Sequence, residues 1–314
     1  MIKILVNDGM KIEAIEKLKK MGLEVIDKHY VGEELEEKIK EVDVIIVRSA
    51  TKVRKNLIDE ALKTKKLKLV VRGGVGLDNI DVEYAEKNNI KVLNTPNASS
   101  VSVAELTIAH MFALSRFVYL SNLTMREGKW EKKKYQGIEL AGKTLGLIGF
   151  GRIAKEVAKR AQVLGMKVIY NDKLGELKEY KTCKYCNLQE VLKQADFVSL
   201  HIPFCSKEGA TIGKEELKIM KKEAYIINCA RGGVIDEKAL LDALNEGEIA
   251  GAGLDVFENE PNPNEDLVNH PKVSVTPHIG GTTKEAQERI GEEIVKIVEK
   301  EFLGGVQNGN AKAV

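Results

Sequence analysis

The residues best placed to do chemistry begin with a glycine-rich turn. Gly149-Phe150-Gly151-Arg152-Ile153-Ala154 follows the apolar run Thr144-Leu145-Gly146-Leu147-Ile148, and a second apolar run ends at Asp172. Gly149 permits a tight strand-to-helix turn, and Gly151 lets a pyrophosphate approach the backbone. A helix starting at Arg152, with Ile153 in its first turn, would aim free N–H groups and the positive end of its dipole at the phosphates. Ala154 stands where a small residue is needed for helix-to-strand packing. A carboxylate at Asp172 can accept both ribose hydroxyl protons and repels a 2′-phosphate, so the expected cofactor is NAD.

Three later segments put polar residues at the ends of apolar runs: Asn228-Cys229-Ala230-Arg231-Gly232-Gly233, Asp255-Val256-Phe257-Glu258-Asn259-Glu260-Pro261 and Thr276-Pro277-His278-Ile279-Gly280-Gly281. Arginine, glutamate and histidine suit a redox reaction at an alcohol. A hydride leaves C2 of a hydroxy acid only as the hydroxyl proton departs, and a neutral histidine can take that proton. A carboxylate bonded to the imidazole fixes its tautomer and stabilises the imidazolium. An arginine offers a two-pronged donor to the substrate carboxylate. On spacing alone, Glu258 and Glu260 are both available to His278.

The elements that must carry these residues alternate along the chain. Short β-rich runs and amphipathic stretches succeed one another over residues 2–94 and again over 143–276, which implies α/β architecture with parallel sheets covered on both faces. Between them an apolar helix is expected over residues 99–120, then a polar excursion over 121–140 with Trp130 and Lys132-Lys133-Lys134. A last helix is expected over 283–302, before a frayed tail. Because the glycine turn lies in mid-chain, the economical arrangement is a substrate domain of residues 1–94 and 283–314, interrupted by a dinucleotide domain of 95–282. Ligands of such sheets bind at the carboxyl ends of the strands, so a cleft between the domains is the expected site.

Composition narrows the function classes. At 314 residues the chain has ample material for two cores, and 49 Lys and Arg against 47 Asp and Glu give no support for a nucleic-acid or membrane surface. No apolar run approaches bilayer length and the start reads as a strand, so a cytoplasmic protein is expected. The charged fraction of 31% would suit a heat-stable protein. Four cysteines make no disulfide framework. Cys183 and Cys186 form a lone CxxC, read as a disulfide or two free thiols and not as a zinc site, while Cys205 and Cys229 are expected as small core residues.

Taken together, these stretches resemble the D-isomer-specific 2-hydroxyacid dehydrogenases, and within that family the phosphoglycerate dehydrogenases. Further matching segments are residues 47–53, Gly74-Val75-Gly76-Leu77-Asp78-Asn79-Ile80-Asp81, Asn94-Thr95-Pro96-Asn97 and Gly128-Lys129-Trp130-Glu131. The resemblance implies two Rossmann-like or flavodoxin-like parallel-sheet domains. It assigns His278 as general base, Glu260 rather than Glu258 as its partner, and Arg231 as the residue orienting substrate and nicotinamide. It gives Asp255 the nicotinamide carboxamide and extends the cofactor contacts to His201, Pro203, Cys229, Ala230, His278 and Gly280. Backbone amides of Val75 and Gly76 would receive the substrate carboxylate.

The implied reaction is NAD-dependent oxidation of D-3-phosphoglycerate to 3-phosphohydroxypyruvate, the opening of serine biosynthesis. Arg48 and Arg72 fall on substrate-contacting positions and could clamp a phosphate, with Lys52 and Arg54 either joining them or forming a solvated basic turn. A glyoxylate or hydroxypyruvate reductase would not need that clamp. A non-catalytic NAD-sensing corepressor could keep the Arg, Glu and His set, but no disordered or Pro- and Ser-rich extension is seen. A homodimer, or a tetramer built from it, is expected through the long helix and the 121–140 arm, with Lys132 as a residue that could reach a neighbouring site. The sequence ends just after the last helix, so serine inhibition through a C-terminal ACT module is not expected.

Overall fold

A computed structural model describes residues 1–304. The expected fraying of the tail concerns residues 305–314 and lies outside the described residues. The chain divides into two compact units, Met1–Ser99 together with the chain from Gly281, and Ser100–Gly280.

In the first unit, β1 (Lys3–Val6), α1 (Ile12–Lys20), β2 (Glu24–Asp27), α2 (Gly32–Ile39), β3 (Val44–Val47), α3 (Lys55–Leu62), β4 (Leu69–Arg72), α4 (Val82–Lys87) and β5 (Lys91–Asn94) alternate along the chain. The strands form one parallel sheet in the order β2-β1-β3-β4-β5, the flavodoxin-like order. The middle strand β3 reads Val-Ile-Ile-Val with every residue buried, as a strand covered on both faces must. Residues 95–99 belong to this unit and not, as expected, to the other. Ala98 packs in the core with Ile290 and Ile294, and its carbonyl accepts from Arg289 Nε at 2.8 Å.

The second unit runs α5 (Ser100–Ser115), α6 (Val118–Arg126), β6 (Thr144–Ile148), α7 (Arg152–Val163), β7 (Lys167–Asn171), β8 (Lys184–Tyr185), α8 (Leu188–Gln194), β9 (Phe197–Leu200), α9 (Lys214–Lys218), β10 (Tyr225–Asn228), α10 (Glu237–Glu246), β11 (Gly251–Leu254), α11 (Glu265–Val268) and β12 (Val273–Val275). Its sheet has the order β12-β11-β10-β9-β6-β7-β8, all parallel. That is the doubly wound dinucleotide order with one added strand, and it reverses direction between β6 and β9. The chain then returns to the first unit as α12 (Lys284–Phe302), capped by the Thr283 hydroxyl, which accepts from Ala286 N–H. At Gly291 a Cβ would lie 2.8 Å from Ala14 Cβ, so glycine lets α12 settle on α1.

The apolar stretch expected as one helix over 99–120 is two. α5 and α6 meet at a 63° bend, with Phe117 in the left-handed region at φ +54°. The cause is distant in sequence: Ile138 N–H donates to Ser115 O at 2.9 Å, and the Phe117 ring lies against Tyr135. A Cβ at Gly137 would collide with that same Ser115 carbonyl. The segment read as a polar excursion therefore begins as helix. Among the described residues no single helix is long and apolar enough to cross a membrane.

All four cysteines are free. Cys183 and Cys186 are buried in different core clusters, and burial raises both thiols above their ordinary value. Cys205, expected in the core, is exposed, because β9 ends at Leu200 and the chain runs on through an exposed turn.

Candidate active site

Strand register alone lines up the chemistry of the second unit. Ile148 pairs with Asn171 on one side and Leu200 on the other, Leu200 with Asn228, Asn228 with Leu254, and Leu254 with Val275. The residues that follow these partners are Gly149, Asp172, His201, the turn carrying Arg231, Asp255 and the loop carrying His278. They share one edge because each parallel strand ends at the same level.

Where the strand order reverses, the Gly149 turn meets the end of β9. Gly149 has φ +83°, and a Cβ on it would lie 2.6 Å from His201 O, so no side chain fits. Gly151 faces open space and precedes α7, whose first-turn N–H groups receive no side-chain cap. This is a cradle for an anion at a helix start. Arg152 and Ile153 begin α7, and Ala154 is fully buried beneath it. Asp172 accepts from Phe150 N–H at 2.7 Å and from Leu174 N–H at 2.9 Å, which ties the end of β7 to the glycine turn. These groups fit a dinucleotide.

Arg231 sits in a turn laced by Asn228. The Asn228 side chain accepts from Ala230 N–H at 3.0 Å and donates to Arg231 O at 2.8 Å, and Arg231 Nη1 donates to Ala230 O at 2.6 Å. A Cβ at Gly232 would overlap Phe257 O, so glycine allows this turn to lie against the 257–258 backbone. A cavity of about 530 Å³ opens beside it, lined in part by Phe204, Gly233, Asp236 and Glu258.

Glu260 Oε2 lies 2.7 Å from His278 Nδ1, and its other oxygen accepts from Phe257 N–H at 3.0 Å. Burial pushes the Glu260 carboxyl up. The bond from His278, the histidine's charge, the Phe257 N–H and the Arg231 charge outweigh it and hold the carboxyl below its ordinary value. Glu258, the other candidate, accepts from Glu237 N–H at the start of α10. The structure thus joins His278 to Glu260 and leaves Glu258 to a helix end.

Asp255 is engaged by the loop that carries His278. Its residue is 1% exposed, and its carboxylate accepts from the Thr276 hydroxyl (2.6 Å) and from the N–H groups of Ile279 and Gly280 (2.8 Å each). It holds the histidine loop first, and a ligand amide would be a further donor. Cys229 offers a ligand only its backbone, since its thiol is buried and pushed up to about 12 by that burial. His201 bonds through Nε2 to Ser199 Oγ at 3.0 Å, and burial keeps its imidazole neutral, with the pKa pulled down to about 3. Pro203 is exposed beyond it, while Ala230 is half-buried and Gly280 buried.

In the first unit, Arg48 and Arg72 stand at the ends of adjacent strands, Val47 being paired with Arg72. The Arg48 turn is fixed by residues the sequence reading passed over. Asp8 accepts from Arg48 N–H at 2.7 Å and from Thr51 N–H at 3.0 Å, and Asn79 donates to Arg48 O and Thr51 O at 2.8 and 2.7 Å. A short polar side chain two residues past β1 was the only signal for Asp8, and Asn79, far from any strand end, carried no local signal for this role. The Arg72 guanidinium lies over Gly74, where a Cβ would overlap it. The Val75 carbonyl accepts from Asn94 Nδ2 at 2.5 Å, while the Val75 and Gly76 amides donate no hydrogen bond among the described residues. Arg54 is committed elsewhere, to Asp81 Oδ1 at 2.9 Å and Asp78 O at 2.8 Å, and Lys52 is exposed. Lys132 opens an exposed 3-10 turn next to Trp130, which is 80% exposed.

Residues 108–280 match the model of the D-isomer specific 2-hydroxyacid dehydrogenase, NAD binding domain. Over 98% of its length the chain is 45% identical to a D-3-phosphoglycerate dehydrogenase of Methanocaldococcus jannaschii, of which it spans only 60%. It is 46% identical to a hydroxypyruvate reductase of Thermotoga maritima, covering 96% of this chain and 98% of that protein. Among solved structures, a glyoxylate reductase from Paecilomyes thermophila superposes with a TM-score of 0.87 at 32% identity, over 96% of each chain.

Proposed function

The chain belongs to the D-isomer-specific 2-hydroxyacid dehydrogenases, with an NAD-binding domain in its second unit, and from that premise we propose that it oxidises D-3-phosphoglycerate to 3-phosphohydroxypyruvate. This reaction opens serine biosynthesis. The observation that carries the chemistry is the 2.7 Å pair of His278 Nδ1 and Glu260 Oε2. An ionised carboxylate only accepts, so Nδ1 carries the proton and Nε2 is left with a lone pair. As base, Nε2 takes the proton of the C2 hydroxyl, and Glu260 stabilises the imidazolium that results. Arg231, its turn fixed by Asn228, offers a rigid fork to the substrate carboxylate and the C2 oxygen. The chemistry that NAD would supply when bound is an acceptor for the hydride leaving C2. The glycine turn and the α7 N-terminus would hold its pyrophosphate and Asp172 its ribose.

Substrate choice rests on Arg48 and Arg72 as the phosphate clamp, with the Val75 and Gly76 amides receiving the carboxylate. Two neighbouring strand-end guanidinium groups suit a doubly charged phosphate. The second reading is hydroxypyruvate reduction, which the Thermotoga relative favours by matching along nearly its whole length. Initial rates of NADH formation with D-3-phosphoglycerate and with D-glycerate separate the two. Preference for the phosphorylated acid supports the first, and turnover confined to D-glycerate transfers the assignment to the second. We further take the working form to be a cytoplasmic homodimer, or a tetramer built from it. Leu123, Met125 and Trp130 on α6 and the following arm are 54%, 53% and 80% exposed, as residues awaiting a second copy would be. A monomer in sedimentation velocity would remove that part of the reading, along with any role for Lys132 in a neighbouring site.

A further inference from the structure

Behind the histidine loop the second unit holds a buried file of polar side chains that the chemistry so far does not use. His110 lies in α5 and is 3% exposed. Room for its ring comes from β11: a Cβ at Gly253 would lie 2.9 Å from His110 Cβ, so glycine lets the helix approach. Both ring nitrogens have partners, Ser274 Oγ at 2.9 Å from Nδ1 and Thr276 Oγ1 at 3.1 Å from Nε2. An apolar side chain would fill this place without any polar group to satisfy, so the histidine asks for a reason.

The protons give one. The Thr276 hydroxyl has a single proton and donates it to Asp255 Oδ1 at 2.6 Å. Towards His110 it is therefore an acceptor, which puts the imidazole proton on Nε2 and leaves Nδ1 to accept from Ser274. Burial lowers the His110 pKa, opposed by the Asp255 charge, and keeps the ring neutral. Asp255 in turn accepts from Ile279 N–H and Gly280 N–H through its carboxylate and from His278 N–H at 2.8 Å through its carbonyl. His278 needs such holding, because its φ of +52° is a left-handed conformation that costs a non-glycine residue about 1 kcal/mol.

We propose that His110 is a positioning residue for the reaction: by donating to Thr276 it directs the threonine proton onto Asp255, which fixes the backbone on both sides of His278. The proposal rests on His278 as the base. An unaligned Thr276 hydroxyl would leave Asp255 with two donors in place of three, and the loop would sample conformations in which Nε2 misses the substrate hydroxyl.

The test compares His110→Leu, which keeps bulk and removes the donor, with His110→Gln, whose amide nitrogen reaches the place of Nε2. The leucine variant should lose about 10-fold in kcat, the worth of one buried hydrogen bond, with KM for NAD changed less than about twofold. Amide exchange at Ile279 and Gly280 should quicken by a similar factor while Ile226 and Ile227 in β10 stay as protected as before. His110→Gln should restore both readouts. Should His110→Leu fail to fold, Thr276→Val cuts the same file and must reproduce the effect. Unchanged kcat and unchanged exchange at Ile279 and Gly280 in the folded variant would overturn the proposal. Turnover surviving His278→Gln would instead remove the base assignment, and exchange at the two amides would still decide whether His110 holds the loop.

Discussion

Glu258 and Glu237 exchange hydrogen bonds through their backbones: Glu258 N–H donates to Glu237 Oε1 at 2.7 Å, and Glu237 N–H donates to Glu258 Oε1 at 3.3 Å. The exchange ties the start of α10 to the loop that leads into Glu260. It also separates two carboxylates that stand only two residues apart. Glu258 is occupied with a helix end, and Glu260 turns the other way to His278.

The two glutamates should therefore fail differently. Glu260→Gln removes a charge-assisted bond to the imidazole and should lower kcat/KM by about 10- to 100-fold. Glu258→Ala, which removes the acceptor, should cost about 1 kcal/mol of stability, as loss of a helix cap does, and leave kcat/KM within about threefold. Steady-state kinetics and melting curves on both variants check this. Equal kinetic losses would mean that the separation is not functional.

Acid stability follows from the same pair. The folded Glu260 carboxyl titrates below its ordinary value, so its contribution is complete above that ordinary value. It is lost as pH falls through the lowered value. The melting temperature of Glu260→Gln, followed downward from neutral pH, should fall less steeply than that of the unaltered protein. Parallel acid limbs would contradict the assignment.

What the sequence made legible was whatever depends on neighbours in the chain. The start of α7 follows from the glycines before Arg152, and the start of α12 from Thr283, because a turn or a cap is a matter of a few residues. The bend at Phe117 depends on Ile138 docking on Ser115, and the choice of Glu260 depends on Glu237, twenty-odd positions away. Neither leaves a local pattern. The strand β8 and the helices α4, α9 and α11 are too short to show a period. The part of Asp255 as the peg of the His278 loop needed the third dimension, since its donors lie past the end of another strand.

The glycine turn offers a control within itself. Gly149→Ala places a side chain at φ +83° against His201 O and should destabilise by about 2 kcal/mol, from the left-handed conformation and the overpacking together. Gly151→Ala meets nothing within 4 Å and should melt as the unaltered protein does. Its added methyl would stand where the pyrophosphate approaches, so the Kd for NADH, read by fluorescence, should rise by about 10-fold or more. Unchanged NADH affinity in Gly151→Ala would move the phosphates elsewhere.

Thiol chemistry should single out one cysteine. Cys205 is exposed, while Cys183, Cys186 and Cys229 are buried with their thiols held above the ordinary value. A disulfide reagent at mildly alkaline pH should label one thiol per chain quickly and the others only after denaturation, and Cys205→Ser should abolish the quick phase. Because the folded Cys229 thiol is pushed up to about 12 from 9.0, the stability tied to its protonated form is complete below that lower value and lost as pH rises between the two. A second quick thiol would show that one buried site opens on the time scale of labelling.

The proposed phosphate clamp makes Arg48 the residue on which substrate choice should turn. Its backbone is pinned on both sides, the N–H by Asp8 and the carbonyl by Asn79, so removing its side chain should leave the turn intact. Arg48→Ala should then raise KM for D-3-phosphoglycerate by about 10- to 100-fold, the loss of a charge-assisted hydrogen bond, and change turnover of D-glycerate little. Arg54→Ala is the matching control: its partners are Asp81 and the Asp78 carbonyl, so it should shift the melting temperature and not the ratio of the two substrates. Loss on both acids alike would make Arg48 a general anion site and leave the phosphate without its clamp, and retention on both would turn the assignment toward the unphosphorylated acid.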